Sequence, residues 1–362
     1  MSAYVIDTAS LKSNIEICRR TVGDVKLYAV VKGDGYGLGL LPYSRILRAE
    51  GMTELAVTEP EDAKALRADG FAGEILMLRS TSDPEEVKQL LEADAVFTIG
   101  STEAFSELNL AASQSEKTVQ AHVYIDVGMG REGFDDRDCE SLRAVCQAQC
   151  CVKITGAYTH FPSAEDPEDT KRRFVDFKRL VEFLRSIGWT GTVHCANSCT
   201  ALYYPEMRLN AVRIGSGFLG RVPPDIANKL GLRQIGYIET EISAVKRLEP
   251  GDTVGYGCAF KARRKTEIGV LNIGYYHGYG MERVVNMSCP RDYVRAMLGP
   301  AKELLRGTKK TASVNGNTVC VVGCVGMQNT FLDITGCGGK AHDKVILPCN
   351  PLLVRNLNRE YR

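Results

Sequence analysis

The chain has 362 residues, and 45 Lys+Arg against 44 Asp+Glu leave a formal net charge of +1. That balance excludes a broad basic surface for nucleic acid or anionic membranes, and the apolar run Val319 to Met327 is nine residues long, too short to span a bilayer. A hydrophobic content of 44% is ordinary for a water-soluble globular protein, and the length predicts two domains, or one large barrel with an added piece.

Met1-Ser2-Ala3-Tyr4 lacks the basic and apolar regions of a secretory signal, so a cytoplasmic protein is expected. The thirteen cysteines are odd in number and include no Cys-x-x-Cys pair. Reduced thiols follow, and no metal site is expected.

In chain order, Thr8 to Thr21 reads as a helix with Leu11, Ile15 and Cys18 on one face. Tyr28 to Val31 is short and apolar enough for a buried strand, and it ends on Lys32. Behind the lysine, Gly33, Gly35, Gly37 and Gly39 alternate with other residues, so the backbone there can approach a ligand closely. Further strands are predicted at Leu55–Thr58, Ile75–Leu78, Ala95–Ile99, Ala121–Val127, Ile154–Phe161, Thr192–Ala196 and Ala211–Ile214. Helical patterns separate most of them, at Pro60–Asp69, Pro84–Glu92, Thr102–Ser113 and Pro167–Ile187. Eight alternations of strand and helix predict a (β/α)8 TIM-type barrel over residues 1–232. Polar and glycine-rich residues follow the strands, where such a barrel places its active site: Lys32, Asp126 to Arg131, His160, Asn197-Ser198 and Arg213 to Ser216. Backbone N–H groups at Ser198, Gly215 and Ser216 suit a phosphate.

After Arg233 the pattern turns to alternating strands at Ile238–Val245, Glu267–Ile273, Ala312–Val314 and Thr318–Val322, with turn signals such as Asn315-Gly316-Asn317. Residues 233–362 therefore read as a C-terminal all-β domain, giving an α/β barrel followed by a β domain.

Leu27 to Gly39 resembles the cofactor-lysine motif of the alanine racemase family, with Lys32, Asp34, Tyr36, Gly37 and Gly39 kept, Gly33 and Gly35 in place of alanines and Leu38 in place of a histidine. Four further stretches resemble that family in order: Asp126-Val127-Gly128-Met129-Gly130-Arg131, Tyr158-Thr159-His160-Phe161, His194-Cys195-Ala196-Asn197-Ser198 and Val212-Arg213-Ile214-Gly215. Val254-Gly255-Tyr256-Gly257 adds a fifth.

The resemblance implies pyridoxal 5'-phosphate carried on Lys32. Tyr36, His160, Asn197, Ser198, Arg213, Gly215 and Ser216 would be cofactor-binding, with His160 against the pyridine ring and Ser198 on the phosphate. Arg131 would reach the cofactor's phenolic oxygen and the substrate carboxylate, which the backbone N–H of Met327 would also meet. Arg213 would face the pyridine nitrogen. An arginine stays protonated, so the ring stays neutral and is a weaker electron sink than one facing a carboxylate. Lys32 and Tyr256 would be the two bases, because racemisation needs one on each face of the Cα. A phenol titrates near pH 10, so that tyrosine calls for nearby positive charge. The family implies a homodimer with Tyr256 contributed across the interface, a bacterial cytoplasm, and D-alanine for cell-wall synthesis. Alanine is the expected substrate. Serine or another amino acid, a related fold-type III decarboxylase and a non-catalytic pyridoxal phosphate carrier are the alternatives.

Four departures stand out. Tyr124 occupies the place of a lysine that braces the arginine at Arg131 in many members, so the bracing must be done otherwise. Gln328 stands where an aspartate is usual. The family's late tyrosine has no clear counterpart, with Leu353 the best match. Met281 to Lys310 is longer than usual and carries seven basic residues against three acids. It reads as a solvated surface helix, or alternatively as a rim of the site entrance that changes the substrate.

Overall fold

A computed structural model describes residues 2–148, 150–164, 166–281 and 310–362. The chain divides into two compact units, residues 8–235 and residues 1–7 with 236–362.

The first unit is a closed barrel of eight parallel strands. They run Lys26–Val30, Glu54–Val57, Glu74–Ser80, Val96–Ile99, Val119–Tyr124, Val152–Tyr158, Thr192–Ala196 and Ala211–Ile214. The first strand pairs with the last, setting Tyr28 opposite Arg213. Successive residues of a strand point to opposite faces, so Tyr28 and Val30 share a face. With Ala56, Leu76, Val96 and Ala211 they form one buried apolar cluster. The lumen is therefore a packed core, as expected of eight strands. Two strands stop three residues short of expectation. The strand predicted to Val127 ends at Tyr124, and the one predicted to Phe161 ends at Tyr158.

The outer helices start where the sequence supplies caps. Pro60, Pro84 and Pro167 open theirs, at the position where a missing N–H costs nothing. The Asp83 carboxylate accepts from the N–H groups of Glu85 and Glu86, and Asp166 does the same for Glu168 and Asp169. Pro84–Glu92 buries Val87, Leu90 and Leu91, each contributing about 1.5–3 kcal/mol.

In the second unit an eight-stranded sheet begins with Thr266–Leu271, Thr330–Asp333, Asn317–Val322 and Thr311–Val314. It continues through Lys344–Pro348, Tyr237–Leu248, Ala3–Ile6 and Asn358–Tyr361. Thr266–Leu271 also pairs with the far half of Tyr237–Leu248, past an irregularity between Ile242 and Ala244. Its main core contains Ile238, Ile242, Leu271, Ile273, Leu332 and Leu347. The opening strand Ala3–Ile6 was not foreseen: it lies antiparallel to Tyr237–Leu248 and parallel to Asn358–Tyr361. Most of the expected insertion, residues 282–309, lies outside the described residues. Among the described residues no helix is long and apolar enough to cross a membrane, and the twelve described cysteines are unbridged.

Candidate active site

Behind Lys32 the backbone makes a left-handed turn: Gly33, Asp34, Gly35 and Tyr36 have φ of 62°, 53°, 62° and 56°. Glycine adopts this conformation freely, while a residue with a side chain loses roughly 1–2 kcal/mol. Two glycines thus halve the strain, and the turn's own bonds hold Asp34 and Tyr36 in it. Gly35 N–H donates to Val31 O at 3.0 Å, Gly39 N–H to Asp34 O at 2.9 Å, and Leu40 N–H to the Asp34 carboxylate at 2.9 Å. The turn carries Tyr36 into the barrel mouth, so close to Gly215 that a Cβ there would lie 2.3 Å from the phenol oxygen.

The loop after the fifth strand is organised by one carboxylate. Asp126 accepts from the N–H groups of Gly128, Met129 and Gly130 at 2.9, 2.7 and 2.9 Å. That fixes the backbone that delivers Arg131. The Arg131 guanidinium lies over the Tyr124 ring, 5.6 Å from its centroid, and 3.5 Å from the Glu132 carboxylate.

Arg213 lies almost wholly inside the barrel, 4% exposed. Among the described residues it pairs with no carboxylate; its partners are neutral. It donates to Thr159 O at 2.7 Å and His194 Nδ1 at 2.8 Å, and lies 3.4 Å from His160 Nδ1. A guanidinium only donates, so His194 Nδ1 accepts and its Nε2 carries the proton. That Nε2–H then donates to His122 Nδ1 at 2.9 Å. Burial first, then the Arg213 charge, pushes the His194 pKa well below its ordinary value. His122 falls to about 4, again mainly by burial. Tyr158 stacks on His194 with its ring under the guanidinium at 5.0 Å.

His160 is held neutral with a pKa of about 3, by burial first and then by the charges of Arg213, Lys32 and Arg131. The Lys32 amine is pulled below the usual lysine range by burial, Arg131 and Arg213, in that order. Ser198 Oγ accepts from Gly215 N–H and Gly217 N–H, both at 3.1 Å, so the Gly215 N–H is directed at the serine. The serine's own hydrogen remains to donate.

Lys32, Tyr36, Arg131, His160, Asn197, Ser198, Arg213, Gly215 and Ser216 all line one cavity of about 290 Å3. Val30, Thr58, Leu78, Tyr158 and Cys199 line it too and were not singled out from the sequence. The remaining signal was strand periodicity: Tyr158 lies two residues before His160, and Val30 two before Lys32. Tyr256 and Met327 belong to the second unit. Tyr256 sits between Gly255 and Gly257, both with positive φ, and is 79% exposed; Met327 is 51% exposed. Their loops adjoin: a Cβ on Gly326 would lie 3.6 Å from the Tyr256 ring. Leu353 ends the short turn Pro351–Leu353, packed so tightly on Gly278 that a Cβ there would meet its carbonyl.

The fold and this lysine-centred, cation-rich cleft define a barrel enzyme with an appended β unit. The sequence model of the alanine racemase N-terminal domain matches residues 6–223, and that of the C-terminal domain residues 236–354. The chain belongs to the alanine racemase family, and it is an isomerase of the racemase type. It is 30% identical over 352 residues to the alanine racemase of Desulforamulus reducens, covering 94% of this chain and 88% of that one. It is also 30% identical over 345 residues to the broad specificity amino-acid racemase of Vibrio vulnificus, covering 92% and 77%. The fold superimposes on the alanine racemase of a D-cycloserine producing Streptomyces lavendulae with a TM-score of 0.86 at 23% identity, over 100% and 97% of the two chains. A Bartonella henselae alanine racemase, described with covalently bound pyridoxal phosphate, gives 0.83 at 20% identity over 100% and 99%.

Proposed function

We propose that this chain is a pyridoxal phosphate-dependent racemase that interconverts L- and D-alanine by a two-base mechanism. The observation that carries this is the convergence of nine barrel-mouth residues on one cavity around a lysine of lowered pKa. The donor set fits the cofactor. Ser198 retains a hydrogen to donate, and only a glycine at 215 leaves room for the Tyr36 phenol. Lys32 would carry the group. Tyr36, Asn197, Ser198 and Ser216 would hold its phosphate end, with the Gly215 N–H orienting Ser198; His160 would lie against the ring and Arg213 would face the ring nitrogen. When bound, the cofactor delocalises negative charge from the substrate Cα and so acidifies its hydrogen.

The protein supplies the rest. Arg131 offers the fork that binds a carboxylate, and the Met327 N–H adds a second donor. Arg213, fed only by neutral acceptors, keeps its positive charge against the ring nitrogen. The Lys32 amine, its pKa lowered, takes or returns the Cα proton on one face. Tyr256 does so on the other, reaching the site from a second copy of the chain. In support, Tyr256 is largely exposed on its own chain, beside the exposed Tyr275, Tyr276 and Met327. Tyr275 and Tyr276 donate backbone hydrogen bonds to Gly326 and Met327, which makes these loops one apolar surface suited to burial in a two-fold dimer. A cytoplasmic enzyme supplying D-alanine is the corresponding role.

A wider amino-acid range is the second reading, favoured by the match to the broad specificity racemase. Proton exchange at Cα in D2O, followed by NMR over a panel of L- and D-amino acids, separates the two. Alanine alone should exchange with inversion; inversion of several would establish the wider range, and no inversion of any would refute both. Tyr256→Phe should lower racemisation about 10²–10⁴-fold. Mixing it with Lys32→Ala should restore activity toward about a quarter of wild type, by random pairing in a two-fold dimer. Full activity of Tyr256→Phe in both directions would eliminate it as a base.

A further inference from the structure

Arg131 needs a support, because its loop fixes only its backbone. Asp126 ties down Gly128, Met129 and Gly130, but the long side chain beyond them has four free torsions. Among the described residues no carboxylate grips it at hydrogen-bond geometry. The Glu132 carboxylate approaches its Nε at 3.5 Å and is itself committed through its other oxygen to Ser80 N–H at 2.7 Å. What the guanidinium does have is a platform. Tyr124 is fully buried, with its ring 5.6 Å below Arg131 Cζ.

That platform is rigid. Tyr124 ends its strand in register with Tyr158, whose ring meets it edge-on at 5.0 Å and whose hydroxyl is tied to Thr98 at 2.9 Å. Gly133 closes on the other side, with φ +110°, and a Cβ there would lie 2.4 Å from the Tyr124 ring. The Tyr124 hydroxyl is buried and has no hydrogen-bond partner among the described residues. Burial pushes its pKa up to about 12, so the ring stays a neutral phenol. The ring, and not the oxygen, is the part in use.

We infer that Tyr124 is a positioning residue that holds the Arg131 guanidinium over its ring, leaving the guanidinium N–H donors open for the substrate carboxylate. The geometry gives the reason. A cation over an aromatic ring is attracted by the ring's quadrupole and gives up no N–H donor to an acceptor atom, so all of the guanidinium's in-plane donors stay available. A carboxylate partner would occupy two of those donors and compete with substrate. An aromatic partner orients the group and occupies none. This rests on the reading that Arg131 binds the substrate carboxylate.

The test is steady-state kinetics on alanine, with cofactor affinity measured separately by absorbance titration of the apoprotein. Tyr124→Phe keeps the ring and should hold KM within about twofold. Tyr124→Leu should raise KM roughly 2- to 30-fold with a smaller change in kcat, and cofactor affinity should change less than KM in both. Phenylalanines with one, two and three ring fluorines, placed at 124 by nonsense suppression, keep the shape while draining the ring's negative face. KM should climb stepwise along that series, and this decides the matter even if Tyr124→Leu does not fold. A flat series, or a Tyr124→Phe as impaired as Tyr124→Leu, overturns the inference. A wild-type protein inert towards alanine would instead refute the underlying reading, and the inference with it.

Discussion

Gly215→Ala should damage cofactor binding far more than one methyl suggests. The added Cβ would lie 2.3 Å from the Tyr36 phenol oxygen and 2.7 Å from two of its ring carbons. Unstrained contacts lie near 3.5 Å, so the phenol would have to retreat by about 1 Å. It cannot do so freely. Tyr36 sits in the left-handed turn behind Lys32, held by the Gly35, Gly39 and Leu40 hydrogen bonds. Its displacement strains the turn or pushes the eighth-strand loop away from Ser198. Overpacking of this kind costs about 1–3 kcal/mol, which on the cofactor side corresponds to roughly a 5- to 150-fold loss of affinity. Gly217→Ala is the control, because its Cβ would meet nothing nearer than 3.2 Å. Apoprotein titrated with pyridoxal phosphate, followed by absorbance, measures the affinities, and thermal melting checks the fold. Equal affinities for Gly215→Ala and Gly217→Ala would refute the reasoning.

Two further expectations concern charge. His122 has a folded pKa of about 4, below that of an unfolded histidine near 6.5. Its contribution to stability is therefore complete above about pH 6.5 and is lost as the pH falls towards 4, at about 1.4 kcal/mol per unit. Denaturant midpoints at pH 6 and 5 should fall less steeply in His122→Gln than in wild type; equal slopes would contradict the buried neutral state. Acetylation of Lys32 by acetic anhydride, read by mass spectrometry across pH, should show a midpoint below the usual lysine value of about 10.4. Arg131→Gln removes a repelling charge and should move that midpoint up. An unchanged midpoint would mean that Arg131 does not act on the amine.

The barrel was legible because its strands are short apolar runs punctuated by capped helices, and its site because functional residues cluster just after those runs. The chain from Arg213 through His194 to His122 was not. Its members are 19 and 72 residues apart; the strands of His194 and Arg213 pair directly, but the strand of His122 lies two places away and meets them only across the curved lumen. The glycines behind Lys32 were read as room for a ligand; what they also permit is the handedness of a turn in which Asp34 and Tyr36 share. Nothing local in those two residues announces a positive φ, since L-residues avoid it. Ala3–Ile6 went unseen because four residues with no turn beside them make a strand only when distant partners complete it. Tyr124 was legible as a question, a missing brace, and the ring beneath Arg131 supplies a face for it.

The pairing of Ala3–Ile6 with Tyr237–Leu248 and Asn358–Tyr361 has a consequence for the order of manufacture. A ribosome that has released residue 235 has delivered every strand of the barrel, yet Ala3–Ile6 is still waiting. That strand finds its parallel neighbour only when residues 358–361 emerge, across a loop whose closure entropy grows with its length. The barrel can thus complete itself during synthesis, whereas the eight-stranded sheet is a late assembly, finished only by Asn358–Tyr361. A chain halted before residue 358 would leave an open edge on Ala3–Ile6, the kind of edge on which other chains pair and aggregate.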